Sequence, residues 1–235
     1  MSRKLDDRKR GILKCLLELR EASVSELQMC TEIPRSSLNH HLRMLRRMGL
    51  IEQRRSGKVL VNRVVPLHVQ KLREELGCRA PVALISGYTY DPERGDPQTL
   101  GLLDRAVRLL EREGVEVRRC IAFTTPKAQQ MMEEAPYRRG DEEVPMDISV
   151  YQNELPSVER EMSRVIERYL PEYEVVVDLT PLTKLFTIAG VNAASKYCLR
   201  AIYHAGKGLI WVRAMCTAVS QEKEAGAPAS PSPPG

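Results

Sequence analysis

The 235-residue chain lacks the signatures of the commonest enzymes. It contains no G-x-x-x-x-G-K-S/T, no G-x-G-x-x-G and no G-x-S-x-G, so P-loop hydrolysis, dinucleotide redox chemistry and serine hydrolysis are without their usual motifs. No apolar run reaches the ~18 residues that a membrane-spanning helix needs. The charged opening Ser2-Arg3-Lys4-Leu5-Asp6-Asp7 is also unlike the apolar stretch of a secretory signal. The expectation is a soluble, cytoplasmic protein with no membrane partner. Six cysteines, Cys15, Cys30, Cys78, Cys120, Cys198 and Cys216, show neither C-x-x-C spacing nor a regular pairing pattern. They read as buried apolar thiols in a reducing cytosol rather than a zinc module or a disulfide scaffold. The four histidines offer no metal set. His40 and His41 point about 100° apart on a helix and no cysteine or carboxylate nearby completes a tetrahedral site, while His68 and His204 each stand without an obvious partner. No catalytic residue, metal ligand or resident cofactor is assigned.

What is present is an uneven distribution of charge. Residues 1–80 hold 18 Lys or Arg against 9 Asp or Glu, and the remainder holds 18 against 22. Such asymmetry points to a first part that meets a polyanion and a second part that does not. With 43% hydrophobic residues the chain can bury two cores.

Helical spacing of apolar residues from Leu5 to Arg20 predicts a first helix, and Ser23 or Ser25 caps a short second one that stops near Thr31. Pro34 forces a turn, and Leu38, Leu42 and Leu45 define a third helix over residues 35–48, closed by Gly49. Two extended runs, Leu50 to Arg55 and Lys58 to Val65, flank Ser56-Gly57 and predict a hairpin. Three helices closed by a basic hairpin make an α+β winged helix-turn-helix over residues 1–66. A connecting helix, Leu67 to Leu76, occupies a linker over 67–80.

From residue 81 to 216 strands alternate with helices. The strands are Val82–Gly87, Val115–Phe123, Asp147–Tyr151, Glu174–Leu179, Arg200–Tyr203 and Leu209–Ala214; the helices are Gln98–Glu113, Lys127–Glu134, Ser157–Tyr169 and Thr183–Cys198. This alternation predicts an α/β, Rossmann-like domain with a mostly parallel sheet, ending in an antiparallel hairpin around Gly206. Residues 217–235, rich in Ala, Pro, Ser and Gly, are expected to be disordered.

On the third helix, inward leucines leave Arg35, Ser36, Ser37, Asn39, His40, Arg43 and Arg47 as candidate contacts to double-stranded DNA. Arg matches guanine, Asn matches adenine and small hydroxyls reach phosphate, as a major-groove reader requires. Arg54, Arg55 and Lys58 flank the wing turn, within reach of phosphates. The alternative is a winged helix used for protein contact, its charges only a solvated face. The stretch from Ser23 to Val65 resembles the winged helices of ArsR and MarR type regulators, which share its Ser-x-x-Glu-Leu second helix, its Leu-x-x-Leu-x-x-x-Gly-Leu-Ile ending and the basic wing after it.

In the second domain the apolar strand Val175 to Leu179 runs into Thr180-Pro181-Leu182-Thr183-Lys184. Thr180 reads as an N-cap and Pro181 as the first helical residue, leaving the N–H groups of Leu182 and Thr183 and the charge of Lys184 to attract an anion. A plain buried helix start is the alternative. The first strand ends in Ser86-Gly87-Tyr88-Thr89-Tyr90, with a glycine for close approach, hydroxyls, and aromatic faces for stacking on a base.

Together these segments resemble CRISPR-associated Rossmann-fold (CARF) domains, in which a Val-Val-Val-Asp-Leu-Thr strand precedes a threonine-lysine turn and an alanine-rich helix. The resemblance implies a homodimer that binds a cyclic oligoadenylate across its two-fold axis. Ser86, Gly87, Tyr88 and Thr89 would form one wall and Thr180, Pro181, Leu182, Thr183 and Lys184 the other. The family has two glycines where this chain has Pro181-Leu182, and its transcription factors carry the winged helix after the sensor rather than before it. The combined expectation is a dimeric, ligand-controlled transcriptional regulator and not an enzyme. Two alternatives stand beside it: a nuclease that opens cyclic oligoadenylate, and a DNA-binding dimer that needs no ligand.

Overall fold

In the computed structural model, which describes residues 5–90, 99–205, 208–213 and 216, every winged-helix element has a local cause. Asp6 accepts from the Lys9 N–H at 2.9 Å and starts α1, Asp7–Leu19. Its apolar stripe of Ile12, Leu13, Leu16 and Leu17 is buried. After β1, Ala22–Ser23, helix α2, Val24–Thr31, opens on a capping box: the Ser23 N–H donates to Glu26 at 2.7 Å while the Glu26 N–H donates to the Ser23 hydroxyl at 3.3 Å. The recognition-type helix α3, Arg35–Arg47, follows Pro34 and buries Leu38, Leu42 and Leu45. The wing is β2, Ile51–Ser56, paired antiparallel with β3, Val59–Val64, and β1 adds to the far side of β3.

Helix α4, Pro66–Leu76, stops at Gly77, whose φ of 69° is the left-handed conformation that glycine adopts without strain. It is more than a spacer. Val69, Leu72 and Leu76 are buried in a core cluster that runs from Leu16 of α1 into the sheet of the second domain. Arg73, 4% exposed, donates to the carbonyl oxygens of Leu170 (2.7 Å), Tyr173 (2.6 Å) and Pro171 (2.9 Å). Arg20 of α1 pairs with Glu172 in the same segment at 2.7 Å. The winged helix therefore grips one short stretch of the second domain from two helices.

The second domain runs β4 (Val82–Gly87), α5 (Leu102–Arg112), β5 (Val117–Thr124), α6 (Pro126–Met132), β6 (Glu142–Pro145), α7 (Ile148–Asn153), α8 (Leu155–Tyr169), β7 (Glu174–Asp178), α9 (Lys184–Tyr197), β8 (Arg200–Ala205) and β9 (Gly208–Arg213). The strand order is β6-β5-β4-β7-β8-β9, with only the β8–β9 pair antiparallel. One face, with Ile85, Phe123 and Val177, packs on α7, α8 and α9 through Tyr151, Val165, Phe186 and Ala189. The other, with Leu84, Ala122, Val176 and Ile202, packs on α5 and α6 through Leu103, Val107 and Met132. Covering both faces is what a parallel sheet requires.

Two expectations are overturned. Residues 148–151 are helical, not a strand: the Asp147 carboxylate accepts from the Ser149 N–H at 2.8 Å and caps α7, and Tyr151 is buried with its hydroxyl donating to the Thr124 carbonyl. The strand lies just before it, in the mostly polar edge run Glu142–Pro145 that lacks the apolar alternation of a half-buried strand. The cysteines are not all free thiols. Cys15 is bonded to Cys30, the Cys198 and Cys216 sulfurs lie side by side, and Cys78 and Cys120 are free. Sequence spacing hid the first pair because α1 and α2 bring its partners together only by packing. Breaking it with a Cys30→Ser substitution is expected to lower the unfolding free energy by about 3 kcal/mol, the loop-closure entropy of a 15-residue separation; denaturant titration of the two proteins measures it. The expected helix start at Gln98, the turn at Gly206, the strand end at Ala214 and the tail from 217 lie outside the described residues. Among the described residues no helix is long and apolar enough to cross a membrane.

Candidate functional site

The leucine stripe of α3 fixes what its opposite face presents. Arg35, Ser36, Asn39, His40, Arg43 and Arg47 are exposed and Ser37 is half-buried. No acidic residue occurs in α3. Arg46 is turned back, donating to Gln53 at 3.0 Å, and so ties the helix to β2. At the wing, Arg55 and Lys58 are exposed and have no ion-pair partner among the described residues. Arg54 differs from the expectation: it donates through Nε to Glu21 at 2.9 Å and forms an ion pair with it. Its charge is thereby largely cancelled, because the β1 approach delivers a carboxylate that lies 33 residues away in sequence. The His40 and His41 rings meet edge to face at 5.7 Å, and burial pushes the His41 imidazole below its ordinary pKa. Among the described residues no group of three His, Cys, Asp or Glu side chains is placed to hold a metal ion.

The second candidate site lies where the sheet changes direction. Strand β4 has β5 on one side and β7 on the other, so the chain leaves the carboxyl ends of β4 and β7 in opposite directions, which makes this the topological switch point of the sheet. Both segments singled out from the sequence, 86–89 and 180–184, meet there. Their local structure departs from the expectation in three ways.

Thr183, not Thr180, caps α9: its hydroxyl accepts from the Phe186 N–H at 3.4 Å and the helix begins at Lys184, which is exposed. The Thr180 groups are already used, its N–H by Asp178 at 2.9 Å and its hydroxyl by the His204 N–H at 2.9 Å. Leu182 takes a φ of 66°, the left-handed region that costs a non-glycine residue of order 1 kcal/mol. Second, Tyr88 offers no stacking face. Its ring is fully buried and its hydroxyl donates to Glu143. Ser86, Gly87 and Pro181 are buried as well, whereas Thr89, Leu182 and Thr183 are partly open. A Cβ on Gly87 would lie 2.6 Å from the Phe123 carbonyl and 2.8 Å from Leu182 Cδ1, so only glycine fits under that leucine.

Third, His204 does not stand alone. Its Nε2 lies 3.3 Å from Asp178 Oδ2, both side chains have no exposed surface, and the Ser86 hydroxyl donates to the same oxygen at 2.7 Å. The order Ser–Asp–His leaves the serine hydroxyl bonded to a carboxylate rather than to an imidazole, so it is not arranged as an activated nucleophile. Strand order alone creates this cluster, because β4, β7 and β8 are neighbours.

A further polar knot escaped the sequence reading. Glu143 of β6 accepts from Tyr88, from Gln129 at 2.9 Å, and from Arg139 at 2.8 and 2.7 Å. The Arg139 hydrogen bonds, helped by Tyr88 and Gln129, hold its carboxyl at about 2, below the ordinary 4.5. Burial and the Glu143 carboxylate push the Tyr88 phenol up. A carboxyl depressed on folding stabilises fully above its unfolded pKa and loses that contribution as pH falls through the folded value. The native chain is therefore expected to lose stability between pH 4.5 and about 2 more steeply than a Glu143→Gln variant; thermal melts across that range test it, and parallel curves would exclude the knot as a source of acid sensitivity.

Residues 6–53 match the family described as bacterial regulatory protein, arsR family. They span α1 through the first residues of β2. Among solved structures, reduced HlyU from Vibrio cholerae is 29% identical, covering 31% of this chain and 72% of its own, with a TM-score of 0.27. Csm6 from Enterococcus italicus, bound to cyclic hexa-2'-fluoro-hexa-dAMP, is 14% identical, covering 58% of this chain and 36% of its own, with a TM-score of 0.32. The chain thus matches about a third of the length of that protein. No curated protein matches the chain. The N-terminal segment is an arsR-type winged helix-turn-helix, and a mostly parallel six-stranded Rossmann-like sheet follows it.

Proposed function

We propose that the protein is a dimeric, sequence-specific regulator that binds double-stranded DNA through α3 and the wing and answers to a nucleotide bound at the β4–β7 switch point. The observation that carries the DNA-binding part is the outward face of α3. It presents Asn39, His40, Arg43 and Arg47 with no carboxylate among them, beside Arg55 and Lys58, which have no ion-pair partner among the described residues. Asn39 and Arg43 are the base readers, with Arg35, Ser36, Ser37 and Arg47 around them. Arg55 and Lys58 contact phosphates.

Each phosphate contact releases counterions, so Arg55→Ala and Lys58→Ala should each flatten the slope of log affinity against log salt by about one unit. Arg54→Ala should flatten it less, because Glu21 already balances that charge. Fluorescence anisotropy on one labelled duplex over a salt series measures all three. An unchanged slope for Arg55→Ala removes the wing from the interface, and no binding even in dilute buffer ends the regulator reading.

Dimerisation is supported by apolar side chains left open on the second domain. Ile188 and Val191 lie one turn apart on α9 and are 43% and 40% exposed, and Ile148 of α7 is 42% exposed. Burying open apolar side chains against the same patch of a second copy is what a two-fold contact does. The nucleotide is proposed as a cyclic oligoadenylate, on the position of Thr183 and Lys184 at the switch point and on the CARF resemblance. A second reading, a dimer that needs no ligand, is favoured by Leu182 lying on Gly87 and by the burial of Tyr88. Calorimetry with cyclic oligoadenylates separates the two: heat that Lys184→Ala abolishes supports the sensor, and no heat from any ring size supports the second reading.

A further inference from the structure

The wing is a two-stranded ribbon, so its side chains alternate between two faces and cross-strand partners share one. Ile51 opposite Val64, Gln53 opposite Asn62 and Arg55 opposite Leu60 occupy the first face; Glu52 opposite Arg63, Arg54 opposite Val61 and Ser56 opposite Val59 occupy the second. The first face begins in the core, where Ile51 and Val64 are buried in the cluster that holds Leu45 of α3. It then passes the last turn of α3, whose Arg46 donates to Gln53 at 3.0 Å, and ends at Arg55 and Leu60.

The two faces differ in charge. On the second, Arg54 pairs with Glu21 and Arg63 with Glu52. The first carries no carboxylate, and its Arg55 is exposed without an ion-pair partner among the described residues. A polyanion lying along the outward side of α3 therefore meets the first face of the wing. With it comes Leu60, an apolar side chain left 49% exposed beside the free cation. Phosphate contacts account for Arg55 and Lys58 but give a leucine no apolar partner. The minor groove does, because proteins that enter it set apolar side chains among cations, and its width varies with sequence. The amine of guanine projects into that groove and distinguishes G·C from A·T there.

On the DNA-binding reading given above, we propose that Leu60 seats in the minor groove beside the pairs that α3 reads and sets a preference for flanks free of the guanine amine. Leu60 is then a specificity-determining residue that acts through the shape of the groove. It is distinct from Asn39 and Arg43, which read base edges in the major groove, and from Arg55 and Lys58, which hold phosphates. Val59, 51% exposed on the opposite face, is the internal control.

The experiment uses three labelled duplexes that share the selected centre and differ only in their flanks: A·T, G·C, or inosine·cytosine, which is G·C without the amine. Fluorescence anisotropy over a salt series gives the affinities. The native chain is expected to bind the A·T and inosine duplexes alike and the G·C duplex about tenfold more weakly. Leu60→Thr, which keeps the strand preference of the position, should lose about fivefold on the first two duplexes and bind all three within about twofold. Its salt slope should equal that of the native chain, because no charge is lost. Val59→Thr should bind as the native chain does. Leu60→Gln, of similar volume, replaces the threonine variant should that one melt lower. A Leu60 variant that matches the native chain on all three duplexes, keeps its flank preference, or is equalled in its loss by Val59→Thr overturns this inference alone. So does weaker self-association at unchanged DNA affinity, which assigns the leucine to a contact between chains. A native chain that binds no duplex ends the DNA-binding reading itself, and the role of Leu60 with it.

Discussion

Replacing Arg73 with alanine is expected to lower the thermal midpoint of the chain by roughly 10 °C. The guanidinium is 4% exposed and supplies the hydrogen bonds of three carbonyl oxygens, those of Leu170, Pro171 and Tyr173, at the end of α8. Burial presses its pKa down, and no carboxylate touches it directly among the described residues. Its charge is balanced by carbonyl dipoles, an arrangement that fails when the donor is removed. Three acceptors left without partners, plus the cavity of the missing side chain, cost about 3–5 kcal/mol. A chain of this size loses about 2–4 °C per kcal/mol. An Arg73→Met variant, which fills most of the space and donates nothing, separates the two causes: a loss near that of alanine assigns the effect to the hydrogen bonds. By contrast Arg20→Ala, whose pair with Glu172 is about half exposed on both sides, should change the midpoint little. A midpoint unmoved by Arg73→Ala would mean that the two domains are held by their shared apolar core alone.

The second large effect concerns specificity. The double variant Asn39→Ala, Arg43→Ala should lower affinity for a selected duplex about a hundredfold or more, because each base-reading pair discriminates by about 1–3 kcal/mol. Binding to a scrambled duplex of equal length should fall far less, since the wing cations remain. The selected duplex comes from enrichment of random sequences on the native protein, and competition titrations give both affinities. Equal losses on the two duplexes would place Arg43 on phosphate and leave base readout to other residues. The leucines at 38, 42 and 45 are untouched, so the helix itself should persist in circular dichroism.

Several parts of this architecture could be read from local sequence. The serine cap before α2, which the sequence left between Ser23 and Ser25, the turn at Pro34, the leucine stripe of α3 and the Ser56-Gly57 turn each act over a few neighbouring residues. Their signal survives in a single chain. Strands β4 and β7 were equally plain, as unbroken apolar runs. The failures share a cause. Residues 147–151 carry β-branched side chains at Ile148 and Val150, but the Asp147 cap and the burial of Tyr151 against Thr124 outweigh that preference. Thr180 and Thr183 are both fitted to cap a helix. What selects Thr183 is that the β8 backbone takes the Thr180 hydroxyl, and β8 lies more than twenty residues further along.

The order of residues alone determined the two-part organisation, the basic helix and wing, the alternation of strand and helix, and the two segments that end β4 and β7. All of these follow from periodicity, caps and charge, whose physical reach is one or two turns of chain. Only the tertiary structure decided that those segments meet at one switch point of the sheet, that Ser86, Asp178 and His204 form one buried cluster, that Glu21 pairs with Arg54, and that Cys15 bonds Cys30. Each of these depends on which strands and helices become neighbours, and that choice is made by the sum of many long-range contacts, no one of which leaves a mark on the nearby sequence.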